Sequence, residues 1–187
     1  MARWQPDARE RLQQAALELF AEQGFAATTV PEITARAGLT TRTFFRHFAD
    51  KREVLFAGDA EVPAMAAAFL AQAPAGAAPL TIVLDGLRAV AETRFEPRKA
   101  AVRARREIVG TDEGLQEREL RKRAALAEAI RAGFVARGLD GTRAALIAES
   151  TVTLLFVAVA QWLDDDRPLA AIIEDCLEAL RAELSPP

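Results

Sequence analysis

Apolar residues recur along this chain at spacings of three and four in one segment after another, and nowhere do apolar and polar residues alternate as in a half-buried strand. The pattern predicts an all-α fold of about nine helices. Asp7 and Glu10 form a capping pair ahead of the stripe Leu12, Ala15, Ala16, Leu19 and Phe20, and Gly24 closes that helix. Thr29 and Glu32 repeat the capping spacing, Pro31 sits in a first turn that needs no backbone donor, and Gly38 breaks a short second helix after Ala37. Thr40 then caps a third helix over residues 41–48, in which Phe44 and Phe48 share one face. Asp50 and Glu53 open a long fourth helix that carries Leu55, Met65, Phe69 and Leu70 toward a linker at 74–79, with a hinge inside it. Glycine, proline and aspartate clusters divide the remainder into helices over 80–95, 97–109, 115–137, 142–163 and 169–184.

The pattern divides the chain into an N-terminal domain, 1–56, and a larger helical domain, 57–187. Among the 187 residues Cys176 is the single cysteine, which rules out an intrachain disulfide and suits a reducing compartment, so a cytoplasmic location is expected. No run of 18 uninterrupted apolar residues occurs and residues 1–20 carry charges throughout, so neither a membrane partner nor an export signal is expected. Arginine outnumbers lysine 21 to 3, a compositional habit of high-GC bacterial genomes.

Net charge is −3, which argues against indiscriminate nucleic-acid binding and directs attention to a local patch. Residues 36–52 supply one, with Arg36, Arg42, Arg46, Lys51 and Arg52 against the single acid Asp50. Residues 57–187 hold 16 basic and 20 acidic side chains. The charge is therefore segregated by region.

Two short helices joined by a glycine-containing turn, the second basic and polar on one side, are what a helix-turn-helix requires. Thr41, Arg42, Thr43, Arg46 and His47 form the exposed side, with Phe44 and Phe48 facing inward, and Arg42 is the expected base reader because its fork matches a guanine edge. The stretch Thr28-Thr29-Val30-Pro31-Glu32-Ile33, followed by Ala37-Gly38-Leu39-Thr40-Thr41-Arg42-Thr43-Phe44-Phe45-Arg46-His47-Phe48, resembles the TetR family of regulators over about residues 7–56. The resemblance implies a homodimer whose recognition helices enter successive major grooves of palindromic double-stranded operator DNA, and repression that a small molecule relieves. By matching position it makes Thr29, Thr40, Thr41, Thr43, His47 and Lys51 phosphate or base contacts. Phe45 stands where the family usually has tyrosine, keeping the aromatic packing without the hydroxyl, and Thr34 replaces a common alanine. With Arg36, Arg42 and Arg46 these residues make up the expected DNA-contacting set. The competing interpretation is a helical hairpin whose basic face is merely solvated.

In the second domain the helix over 142–163 is apolar nearly all round from Val152 to Val159, so it must be covered on more than one side. Val152, Leu155, Val159 and Trp162, with Ile172, Ile173, Cys176, Leu177 and Leu180 of the last helix, are the expected dimer interface, a four-helix arrangement between two copies. The alternative is that these stripes complete a monomer's core. An effector cavity is expected between the fourth helix and the helix over 142–163, lined by Phe69, Leu84, Leu87, Phe95, Val102, Arg106, Phe134 and Phe156, each of which ordinary core packing also explains. The basic run at 98–106 suggests an anionic group on the ligand, or else a solvated helix face. Glu117 with Arg121 and Glu119 with Arg123 are helix-stabilising pairs four residues apart. This half is weakly similar to regulators that sense fatty acyl molecules, which implies an apolar or amphipathic effector.

An enzyme is disfavoured. No phosphate-cradling glycine loop, metal-ligand cluster or nucleophile–base signature is present, so no metal and no cofactor is expected. The expected function is a ligand-responsive transcription regulator acting as a repressor. The alternatives are an activator, or a small-molecule-binding dimer whose DNA module is vestigial.

Overall fold

The computed structural model describes residues 7–184, and among these the only regular elements are helical. Four helices come from the first 55 residues: α1 (Ala8–Gln23), α2 (Val30–Ala37), α3 (Thr41–His47) and α4 (Lys51–Leu55). They are followed by α5 (Val62–Gln72), α6 (Pro79–Val90), α7 (Lys99–Gly110), α8 (Glu113–Ala136), α9 (Gly141–Trp162) and α10 (Leu169–Leu184). The long fourth helix expected from sequence is present in two pieces, α4 and α5, parted by a 3₁₀ turn at Asp59–Glu61. Gly58, at φ 84°, makes the interruption, because that left-handed backbone is costly for a residue with a Cβ. With the interrupted helix counted as one, the described residues contain the nine helices predicted.

The capping chemistry is as the spacing requires. Asp7 accepts the Glu10 N–H at 2.8 Å, Thr40 accepts the Thr43 N–H at 3.2 Å, and Asp50 accepts the Glu53 N–H at 2.8 Å. At α2 the box is complete: Thr29 Oγ1 accepts from the Glu32 amide while Glu32 Oε2 accepts from the Thr29 amide and hydroxyl.

Two compact units result. The first comprises residues up to 60 together with 103–120, so it extends beyond the linear boundary at 56/57. The reason is packing: Ile108 and Leu115 are buried in the same cluster as Leu12, Phe20, Ile33, Phe44 and Val54. The Arg105 guanidinium fastens this return segment, lying 2.8 Å from Asp59, 2.9 Å from Glu119 and 4.8 Å from the centre of the Phe56 ring. Glu119, expected to pair with Arg123 within α8, has a partner on α7 in Arg105.

The second unit comprises residues 61–102 and 121 onward. Its core draws on α5, α6, α8, α9 and α10, with Phe134, Ala158, Trp162, Leu169 and Ile173 almost wholly excluded from solvent. Trp162 meets Phe95 edge-on at 6.4 Å, with the Lys99 ammonium 4.9 Å from its ring centre. Close approach of α5 to α8 depends on Gly133, where a Cβ would stand 2.5 Å from Leu70 Cδ1. By length and apolarity α9 could cross a bilayer, yet nine of its residues are buried in this unit, which makes it a core helix here.

Candidate DNA-binding surface and effector cavity

The first unit presents a helix-turn-helix, and local sequence accounts for each part of it. Gly38 adopts φ 63° and ψ 37° at the end of α2, and its amide donates back to Ala35 and Thr34, which stops the helix and turns the chain into the cap of α3. Phe44 and Phe48 are buried, with ring centres 5.5 Å apart, which fixes the rotation of α3 about its axis. That rotation leaves Thr40, Thr41, Arg42, Phe45 and Arg46 exposed and Thr43 and His47 half-buried. The exposed side carries two guanidinium groups, hydroxyls and one apolar ring, the set that meets phosphates, base edges and thymine methyls.

Three of the sequence-predicted contacts have structural duties instead of free heads. Arg36 is held by Glu22 at 2.7 Å and Glu18 at 3.5 Å, which raises its own pKa and lowers that of Glu22. Lys51 Nζ donates to the carbonyls of Phe25 at 2.8 Å, Ala26 at 3.2 Å and Thr28 at 2.8 Å, closing the α1–α2 loop. Burial pushes the Lys51 ammonium below its ordinary value, and the Arg52 charge acts the same way. Thr29 spends its hydroxyl on Glu32, and that bond draws the glutamate below its ordinary range. Phe45, 58% exposed and edge-on to Phe44 at 5.4 Å, is the most solvent-facing aromatic of the surface.

The second unit encloses a cavity of about 200 Å³. Of the residues expected at an effector cavity, Phe69, Leu87 and Phe134 line this one. Leu84, Phe95, Val102, Arg106 and Phe156 do not. Leu84, Phe95, Val102 and Phe156 are packed against the core, Phe95 on Trp162 and Phe156 beneath the Arg123 guanidinium at 3.8 Å, and Arg106 is exposed on the part of α7 belonging to the first unit. The walls missed from sequence are Met65 and Leu70 of α5, Ile82, Val83, Gly86 and Val90 of α6, Leu126 and Ile130 of α8, and Thr151, Val152 and Leu155 of α9. The signal was present on α6, where Ile82, Gly86 and Val90 recur at four-residue spacing beside Val83 and Leu87.

The interface set needs the same correction. Val152, Leu155, Val159, Trp162, Ile172, Ile173 and Leu177 are buried within their own unit, Val152 and Leu155 as cavity wall. A helix apolar all round has two faces to cover, and the chain covers this one itself. Cys176 and Leu180 instead line a surface groove between α9 and α10 with Thr153, Leu154 and Val157. Leu146, Val157 and Leu184 on these two helices are exposed.

Residues 12–57 match the family model described as bacterial regulatory proteins, tetR family. The HTH-type transcriptional regulator TcmR of Streptomyces glaucescens is 42% identical over 82 residues, 44% of this chain but only 36% of TcmR's length. Thermus thermophilus FadR, a transcriptional repressor solved with lauroyl-CoA, superposes with a TM-score of 0.59 at 24% identity over 96% of each chain. NalD of Pseudomonas aeruginosa, the secondary repressor of the MexAB-OprM multidrug efflux pump, gives 0.63 at 21% identity over 94% of this chain and 95% of its own. At those identities the likeness to the solved structures is one of fold.

Proposed function

From the match of residues 12–57 to the TetR family model we propose that this chain is a TetR-family transcription regulator, a dimeric, cytoplasmic repressor released from a palindromic operator by a small apolar or amphipathic effector. The observation that carries the DNA-binding part is the orientation of α3, pinned by Phe44 and Phe48 so that Arg42, Phe45 and Arg46 face solvent together with Thr41. Arg42 reads a guanine edge, Arg46 and the hydroxyls of Thr40, Thr41 and Thr43 hold phosphates, and His47 supports them from its half-buried position.

The dimer forms through the outward faces of α9 and α10, where Leu146, Val157, Leu180 and Leu184 leave apolar surface uncovered. The effector occupies the second unit's cavity. It weakens operator binding only to the extent that it prefers the conformation the operator disfavours, and the operator weakens effector binding by the same factor.

The experiment is binding of the purified protein to DNA upstream of its own gene across a salt series, with an Arg42→Ala/Thr43→Ala double variant alongside. Salt-sensitive binding centred on a palindrome and lost in the variant supports the proposal. Equal binding by both proteins removes α3 from the interface and ends it.

A further inference from the structure

The cavity of the second unit runs from a closed depth to an open rim. Leu70, Leu87 and Phe134 are buried and make the deep walls, whereas Met65 and Phe69 are exposed, so the space opens along the α5–α6 edge. Gly86 seats the Phe69 ring at that rim: a Cβ there would stand 3.1 Å from Phe69 Cε1. Residues Ala91–Phe95 continue α6 as a π-helical turn, a geometry frequent at functional sites, and this turn delivers Thr93 and Arg94 to the lining.

The polar side chains of this wall are already committed. Thr93 Oγ1 donates to the Ala89 carbonyl and Thr151 Oγ1 to the Ile147 carbonyl, both at 2.6 Å, so these hydroxyls keep only lone pairs, which cannot hold an anion. Arg94 is engaged as well, donating from Nη1 to Met65 Sδ at 3.1 Å among its contacts, and it could receive an anion only by giving up bonds it already makes. An ammonium ion fares no better, since that same guanidinium repels it and no aspartate or glutamate stands among the described lining residues. An ion of either sign would leave water without a counter-charge waiting, whereas apolar surface gains by the same transfer. About 200 Å³ is somewhat more than the ~150 Å³ apolar cavity that takes one benzene, and below the range of drug-sized pockets.

Resting on the effector site proposed above, we propose its chemical class: a compact uncharged molecule, one aromatic ring with a short substituent, lodged among the apolar walls and carrying at most a hydroxyl as its polar group. The test is calorimetric titration of the full chain with para-ethylbenzyl alcohol, para-ethylbenzylammonium and para-ethylbenzoate, which share a ring and an ethyl group and differ in charge. We expect the alcohol to bind at least tenfold more tightly than either ion. We expect that binding to fall at least tenfold in Gly86→Leu, which fills the rim, and in Val152→Phe, which fills the depth. An ion that binds within tenfold of the alcohol, no binding of the alcohol, or undiminished alcohol binding in both variants would each overturn the assignment. Circular dichroism confirms that the variants are folded, and the comparison of the three probes on the wild type decides by itself if one is not. Operator binding measured on the same preparations keeps the two proposals apart. A protein that binds DNA but does not prefer the alcohol retains the regulator proposal alone, and one that prefers the alcohol but binds no DNA retains this assignment alone.

Discussion

Lys51 Nζ sits 4.5 Å from the centre of the Phe25 ring and donates to the Phe25 carbonyl at 2.8 Å, so one cation grips both the side chain and the backbone of the α1–α2 loop. Replacing it by methionine keeps the length and leaves three carbonyls without their donor. Lys51→Met is expected to destabilise the first unit by about 1–3 kcal/mol, the scale for hydrogen bonds to a charged group. Thermal unfolding followed by circular dichroism reads the shift; an unchanged midpoint would return Lys51 to the list of available phosphate contacts.

The arginines of the DNA surface are predicted to separate by experiment. Arg42→Ala should cost about 1–3 kcal/mol of operator affinity and relax selectivity at one base pair. Arg46→Ala should weaken binding to all sequences and reduce the slope of log affinity against log salt by about 1. Arg36→Ala should change that slope less than Arg46→Ala, because Glu22 and Glu18 already engage its guanidinium. Titrations of the operator at four or more salt concentrations distinguish the three.

Acid should loosen the first unit before it affects deeper packing. Glu22, through Arg36, and Glu32, through Thr29, are both held below the ordinary glutamate value of 4.5. The unfolded chain therefore binds more protons than the folded one in this range, so their contribution is present above pH 4.5 and is lost as pH falls through the folded values. A Glu22→Gln/Glu32→Gln double variant should show a flatter fall in unfolding midpoint below pH 4.5 than the wild type. An identical fall in both proteins would assign the acid sensitivity elsewhere.

Oligomerisation and core stability should respond to different residues of the same helices. Val157→Arg, at an exposed site of α9, should yield monomers in sedimentation velocity while barely altering the unfolding of the monomer. Ile173→Ala, at a site with no exposure, should cost about 2–5 kcal/mol of folding stability at any protein concentration. Dimers persisting in Val157→Arg would move the interface off this face.

Short-range grammar was the legible part of the sequence. The caps at Asp7, Thr29, Thr40 and Asp50 each rest on a three-residue relationship, and the burial of Phe44 and Phe48 on a four-residue one, so neither needed knowledge of the rest of the chain. What periodicity withheld was which neighbour a stripe meets. Val152, Ile172 and Ile173 displayed the right apolarity for an interface, but partners distant in sequence, such as Leu87 and Phe134, claim that side within one unit. Phe95 and Phe156 were aromatic enough for a pocket and were taken by Trp162 and Arg123.

The return of residues 103–120 to the first unit bears on how this protein can be cut and recombined. A fragment ending at residue 60 would lack Ile108, Leu115 and Arg105, leaving the sites they fill around Phe56 and Val54 open to water. The DNA-binding half is thus not a portable cassette: a chimera that joins this N-terminus to a foreign sensor must bring the matching stretch of α7 and α8 with it, or rebuild the apolar plug those helices supply. A splice placed after residue 60 would leave that plug behind with the discarded half.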